Sequence, residues 1–150
     1  MDKEVVILIT DDDEGHSLLI EKNLRRAGLI NAMLRFRDGQ EILEFLQRTG
    51  PGPHRDSNIG YLLLLDIRMP KVDGVEVLRR IKADPDLKKM PVIMITTTDD
   101  PREIENCHDL GCNSYIAKPI DYDRFVETIA KLGLFLMVVQ VPVVNGDKAH

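Results

Sequence analysis

Apolar residues are spread along the chain in two rhythms. Val5 to Ile9 is an unbroken apolar run with no alternation, which predicts a strand buried on both faces of a parallel sheet. Tyr61 to Leu65 and Val92 to Ile95 read the same way, and Met33 to Phe36 and Tyr115 to Ala117 are shorter candidates. Between them the spacing turns helical: about Glu14 to Ala27 closed by Gly28, Gln40 to Gln47, Val75 to Ala83, Pro101 to Leu110 closed by Gly111, and Asp121 to about Leu132. Ile20, Leu24 and Ala27, then Val77, Leu78 and Ile81, then Phe125, Ile129 and Leu132 form the stripes expected to face the sheet. Strict alternation of strand and helix, with right-handed crossovers, predicts an α/β fold: a doubly wound five-stranded parallel sheet in flavodoxin-like order.

In such a sheet ligands lie beyond the carboxyl ends of the strands, near the point where strand order reverses. The first strand runs out into Thr10-Asp11-Asp12-Asp13, the third into Asp66, the fourth into Thr96-Thr97-Thr98 and the fifth into Lys118-Pro119. Carboxylates, a hydroxyl and an amine therefore converge. Clustered carboxylates raise one another's pKa unless a cation neutralises them. With no Cys/His set at these strand ends, Mg²⁺ suits the donors better than Zn²⁺. An aspartyl carboxylate can attack phosphorus, while an ammonium and a hydroxyl hold the other oxygens of the transferring group.

Composition narrows the choice. The 150 residues have the length of one domain, and a formal charge of −5 argues against a protein that grips a nucleic-acid backbone. Met1-Asp2-Lys3-Glu4 before a short strand is not a signal peptide, and no run approaches the roughly 20 apolar residues that span a bilayer. A cytoplasmic protein with no membrane and no direct nucleic-acid partner is expected. Cys107 and Cys112 are expected to be free thiols.

Four pieces of the chain in order resemble the response-regulator receiver domains of two-component signalling. They are Ile7-Leu8-Ile9-Thr10-Asp11-Asp12, Leu65-Asp66-Ile67-Arg68-Met69-Pro70-Lys71-Val72-Asp73-Gly74, Ile95-Thr96-Thr97 and Tyr115-Ile116-Ala117-Lys118-Pro119. The resemblance covers about residues 4–132. It implies that Asp66 accepts phosphate from a sensor histidine kinase, and that Mg²⁺ is held by Asp12, Asp66 and the Arg68 backbone carbonyl, with Asp11 helping through water. It also implies that Thr96 and Lys118 grip phosphoryl oxygens, that Thr96 and Tyr115 switch conformation, and that Arg68 and Thr98 tune dephosphorylation. Lys-Pro is cis in many relatives, and proline makes that isomer accessible at Lys118-Pro119. The Thr96-Thr97 pair departs from the small residue that commonly follows the threonine. Within the family the chain looks most like the small stand-alone regulators of phytochrome kinases, because of the long Thr49–Gly60 segment and an apolar tail after the fifth helix.

Simpler readings compete at several positions. Asp11 to Asp13 can cap the first helix, Asp66 can be a turn residue, and Asp73-Gly74 can be a plain turn. The coincidence with Thr96 and Lys118 favours the pocket. Helix packing explains Cys107, His108 and Cys112 better than a metal site does, and His16 and His54 are expected to be solvated. A haloacid-dehalogenase-like phosphatase would use Asp11-x-Asp13, but this chain has Glu14-Gly15 where a threonine should follow and no downstream acidic pair, and that reading leaves Asp66 idle. A receiver that signals by binding alone would not need the whole pocket. Residues 133–150 are expected to form an apolar C-terminal extension with no output domain. Its Leu134-Phe135-Leu136-Met137-Val138-Val139-Gln140-Val141 run suggests a homodimer through helices four and five, against a tail that folds back on its own domain. Output then passes through a downstream protein.

Overall fold

A computed structural model describes residues 1–144; Asn145 to His150, the end of the expected extension, lie outside the described residues. Strands β1 (Val6–Thr10), β2 (Met33–Phe36), β3 (Tyr61–Leu65), β4 (Val92–Thr96) and β5 (Ser114–Ala117) alternate with five α-helices. These are α1 (Glu14–Arg26), α2 (Gly39–Gln47), α3 (Gly74–Ala83), α4 (Pro101–Leu110) and α5 (Tyr122–Leu136). Every strand pairing is parallel, in the order β2-β1-β3-β4-β5. The flavodoxin-like expectation holds, and the order reverses beside β1 and β3, where a ligand crevice belongs.

The unbroken apolar runs are explained by their place in the sheet. Every residue of β3 and β4 is buried, whereas the edge strands β2 and β5 are partly exposed. Leu63 and Leu65 point to a core shared with α2, α3 and α4, while Leu62 and Leu64 point to one shared with α1 and α5. Each such side chain contributes about 1.5–3 kcal/mol on leaving water, so a polar residue in these runs would be strongly disfavoured.

All five α-helices start the same way. Asp13, Asp38, Asp73, Asp100 and Asp121 accept the amide hydrogens of His16, Glu41, Glu76, Arg102 and Arg124 respectively. Such caps contribute about 1 kcal/mol each and fix where every helix leaves the top of the sheet.

Helix α5 runs past the expected Leu132 to Leu136. Phe125, Ile129, Leu132 and Leu136 are one buried stripe, and Gly133 sits against α1 where a Cβ would come within 2.6 Å of the Ala27 Cβ. A residue that reads as a breaker is thus a close-packing contact. Beyond it the chain turns back: Val143 bridges Gly60 in antiparallel fashion, Val144 is buried in the α2/α3 core, and Arg55 Nη1 donates to the Val144 carbonyl at 2.9 Å. Leu134, Phe135 and Val138 stay exposed. The cis peptide bond among the described residues is Gly52–Pro53, so Lys118–Pro119 is trans, contrary to the expectation from relatives. No described helix is long and apolar enough to cross a membrane.

Candidate functional site

Backbone bonds at the strand ends bring the candidate residues together. The Asp66 amide donates to the Thr10 carbonyl at 3.0 Å, the Asp11 amide to Phe36 at 3.1 Å, and the Lys118 amide to Thr96 at 2.6 Å. The sheet ladder therefore continues one residue past each strand and holds the functional positions on rigid backbone. Gly74 locks the acceptor loop from the other side. Its amide donates to the Ile67 carbonyl at 2.7 Å, and a Cβ at this position would lie 2.0 Å from the Asp66 carbonyl oxygen. Asp73-Gly74, open to a plain-turn reading, is a helix cap and a close approach that the pocket requires.

The side chains of Asp11, Asp12, Asp66 and Lys118 converge, as their places at the strand ends predict. Asp11 and Asp66 are buried, Asp12 is exposed, and one carboxylate oxygen from each lies within 4.8 Å of the others. Lys118, 6% exposed, donates from Nζ to Asp11 Oδ2 at 2.5 Å and reaches Asp66 Oδ2 at 3.5 Å. Asp66 Oδ1 accepts from the Ile67 amide at 2.8 Å, and Asp11 Oδ1 from the Asp13 amide at 2.9 Å. Of the three consecutive aspartates only Asp13 caps α1, which frees Asp11 and Asp12 for the pocket. Burial pushes the Asp11 carboxyl up, against the opposing hydrogen bond and charge of Lys118.

Two observations fit a cation and an oxyanion here. Three carboxylates against one ammonium leave two negative charges uncompensated, and the donors are all hard oxygens. The Thr96 hydroxyl is fully buried with no hydrogen-bond partner, a state that costs about 1–3 kcal/mol unless something occupies it. Beside these groups a cleft of about 470 Å³ is lined by Asp12, Ile67, Arg68, Met69, Asp73 and Glu103.

Arg68 reaches toward Glu103, 3.9 Å from its carboxylate, with its side chain 72% exposed. The Thr98 hydroxyl donates to that same carboxylate at 3.2 Å, and the Tyr115 hydroxyl donates to the Thr98 carbonyl at 2.8 Å. Burial pushes the Tyr115 phenol up to about 12, so it stays a donor. Glu103 meets both Arg68 and Thr98 and was not singled out from sequence, because a glutamate in a first helical turn also suits the helix dipole.

His16 corrects an expectation. It is not merely solvated: its Nδ1 lies 3.2 Å from Lys118 Nζ and its ring tilts against Phe125, centroids 5.6 Å apart. Its place one turn into the helix that follows the aspartates was the available signal. His54 is also engaged, with Nε2 2.8 Å from the Thr49 carbonyl. Cys107 and Cys112 are free and buried, and burial lifts the Cys107 thiol to about 11. Among the described residues the aspartate trio is the group of three or more His, Cys, Asp or Glu side chains whose ligand atoms lie close enough to share a metal ion.

Comparison with known proteins gives the same picture. Residues 7–130 match the response regulator receiver domain. The response regulator Rcp1 of Synechocystis sp. is 35% identical over 113 residues, 75% of this chain and 76% of that protein. Its Mn²⁺-bound form superposes with a TM-score of 0.81 over 91% of this chain and 98% of that one, at 30% identity. A response regulator receiver domain from Rhodospirillum rubrum is 42% identical, with a TM-score of 0.88 over 94% of this chain and 99% of that one. The phosphorylated cyanobacterial phytochrome response regulator RcpA is 30% identical, with a TM-score of 0.80 over 91% and 97%.

Proposed function

The chain belongs to the response regulator receiver domain family, and from that premise we propose that it is a response regulator whose Asp66 accepts a phosphoryl group from a sensor histidine kinase. The carrying observation is the buried trio of Asp66, Lys118 and unpartnered Thr96 at adjoining strand ends. A carboxylate oxygen of Asp66 forms the new P–O bond as the P–N bond to the donor imidazole breaks. Lys118 and the Thr96 hydroxyl then offer donors to the phosphoryl oxygens. Asp12, Asp66 and the Arg68 carbonyl would hold Mg²⁺, with Asp11 helping through water, and the ion would supply charge neutralisation between the carboxylates and the incoming group. The protein assists only its own phosphorylation and dephosphorylation. It is a signalling protein rather than a metabolic enzyme.

Thr96 and Tyr115 form the switch in this reading. Thr96 turns toward the phosphoryl group from a position where its hydroxyl has nothing to lose. Tyr115 reports the change through its bond to the Thr98 carbonyl in the loop ahead of α4. Arg68 and Thr98 tune the lifetime of the phosphorylated form, and the Arg68–Glu103 pair is weak enough to exchange partners.

A phytochrome kinase is the donor we favour, supported by the similarity to RcpA and by the ordered Thr49–Gly60 segment. The setting is cytoplasmic, and output goes to a downstream protein. Leu134 (62% exposed), Phe135 (55%) and Val138 (73%) at the end of α5 offer the surface for a homodimer with α4 and the C-terminal segment. Light scattering at micromolar concentration is expected to give a dimer mass, and a monomer mass counts against this part. The decisive experiment is intact-mass spectrometry after treatment with acetyl phosphate and Mg²⁺. Wild type should gain one phosphoryl group and Asp66→Asn none; equal labelling of both sinks the assignment.

A further inference from the structure

Lys118 has a third neighbour beyond its two carboxylates. An ammonium carries three N–H donors and no acceptor, so a buried one needs three partners. The three acceptors within reach of Nζ are Asp11 Oδ2 at 2.5 Å, His16 Nδ1 at 3.2 Å and Asp66 Oδ2 at 3.5 Å. Because the amine can only donate, His16 Nδ1 is the acceptor in this contact. Asp13 Oδ2, 3.7 Å from the same nitrogen, is too distant to compete as a hydrogen-bond partner.

The ring is held as well as placed. The Asp13 cap fixes the His16 backbone amide at 3.1 Å, and Phe125 of α5 lies against the ring face. Together they aim Nδ1 at Lys118 from α1, while Asp11 and Asp66 approach from β1 and β3. Without His16 the amine would keep one proton unpaired or lean wholly on Asp11, its shorter contact, and away from Asp66.

We propose that His16 is a positioning residue for Lys118. It holds the ammonium between Asp11 and Asp66, so that one donor can turn to a phosphoryl oxygen on Asp66 while the amine keeps its seat. The inference rests on Asp66 being the phosphoacceptor, but the contact itself does not.

The test uses the full chain labelled with ¹⁵N-lysine. The Lys118 ammonium signal is identified by its loss in Lys118→Arg, and its hydrogen exchange is followed without metal or phosphodonor. In His16→Leu, which keeps an apolar body against Phe125, exchange should accelerate about ten-fold, and phosphorylation by acetyl phosphate with Mg²⁺ should slow about ten-fold, as expected for one lost charge-assisted bond. His16→Asn places an amide oxygen near the position of Nδ1 and should recover most of both. Unchanged exchange in His16→Leu overturns the proposal. So does a loss in His16→Leu that His16→Asn fails to rescue while both variants unfold at the wild-type urea midpoint, because the ring would then act by packing. If exchange responds as expected but wild type takes up no phosphoryl group, the positioning contact stands and the phosphoacceptor reading fails.

Discussion

The two ends of the sheet treat buried polar groups in opposite ways. At the amino end they are fully used. Asn31 Nδ2 donates to the Asp2 and Val5 carbonyls, both at 2.8 Å, and Arg55 donates to the Leu46 carbonyl at 2.7 Å and to Val144 at 2.9 Å. At the carboxyl end, the described buried side-chain atoms without a partner are the hydroxyls of Thr10, Ser17 and Thr96. The same end gathers three carboxylates around one ammonium. One end spends its hydrogen-bonding capacity on stability, and the other leaves these three hydroxyls unpartnered.

The contrast can be broken by exchanging a residue at each end. The largest effect is expected at the amino end. Arg55→Met strands the Leu46 and Val144 carbonyls and should lower stability in urea by on the order of 3 kcal/mol. The folded fraction should still take up phosphate at the wild-type rate; a large loss of uptake there would show that the two ends are coupled. A smaller effect of opposite sign belongs to the carboxyl end. Thr96→Val replaces an unpartnered hydroxyl with a methyl and should leave the resting fold unchanged or stabilise it by up to about 1 kcal/mol. The same variant should lose the phosphorylation-induced change that circular dichroism or NMR reads in wild type. A clear fall in its urea midpoint would mean that the hydroxyl has a structural partner. The smallest effect on stability is expected at Arg68, whose side chain is 72% exposed. Arg68→Ala should leave unfolding within about 0.5 kcal/mol of wild type while altering the half-life of the phosphorylated form, read on a phosphate-affinity gel. An unchanged half-life would remove Arg68 from the tuning role.

Legibility from sequence follows the same division. The central strands were readable because burial on both faces leaves only apolar residues, as at Tyr61–Leu65 and Val92–Thr96. Asp11, Asp12, Asp66, Thr96 and Lys118 were readable because a parallel sheet delivers strand ends to one place, so position along the chain already implied convergence. Other features were not readable. Gly133 looks like a helix breaker until α1 is seen 2.6 Å from where its side chain would be. His16 looks like a solvated helix residue until Lys118, 102 positions away, is found 3.2 Å from its ring. Val144 looks like part of a free apolar tail until Arg55 is seen to donate to its carbonyl and Gly60 to bridge its neighbour Val143 at the base of the sheet.

The sequence by itself determined the elements, their order and the chemical types at each strand end, because these depend on local periodicity and on a topology with few alternatives. The tertiary structure decided which acceptors surround Lys118 and where the C-terminal segment lies. Those depend on distances between residues far apart in the chain, and no local pattern encodes such distances.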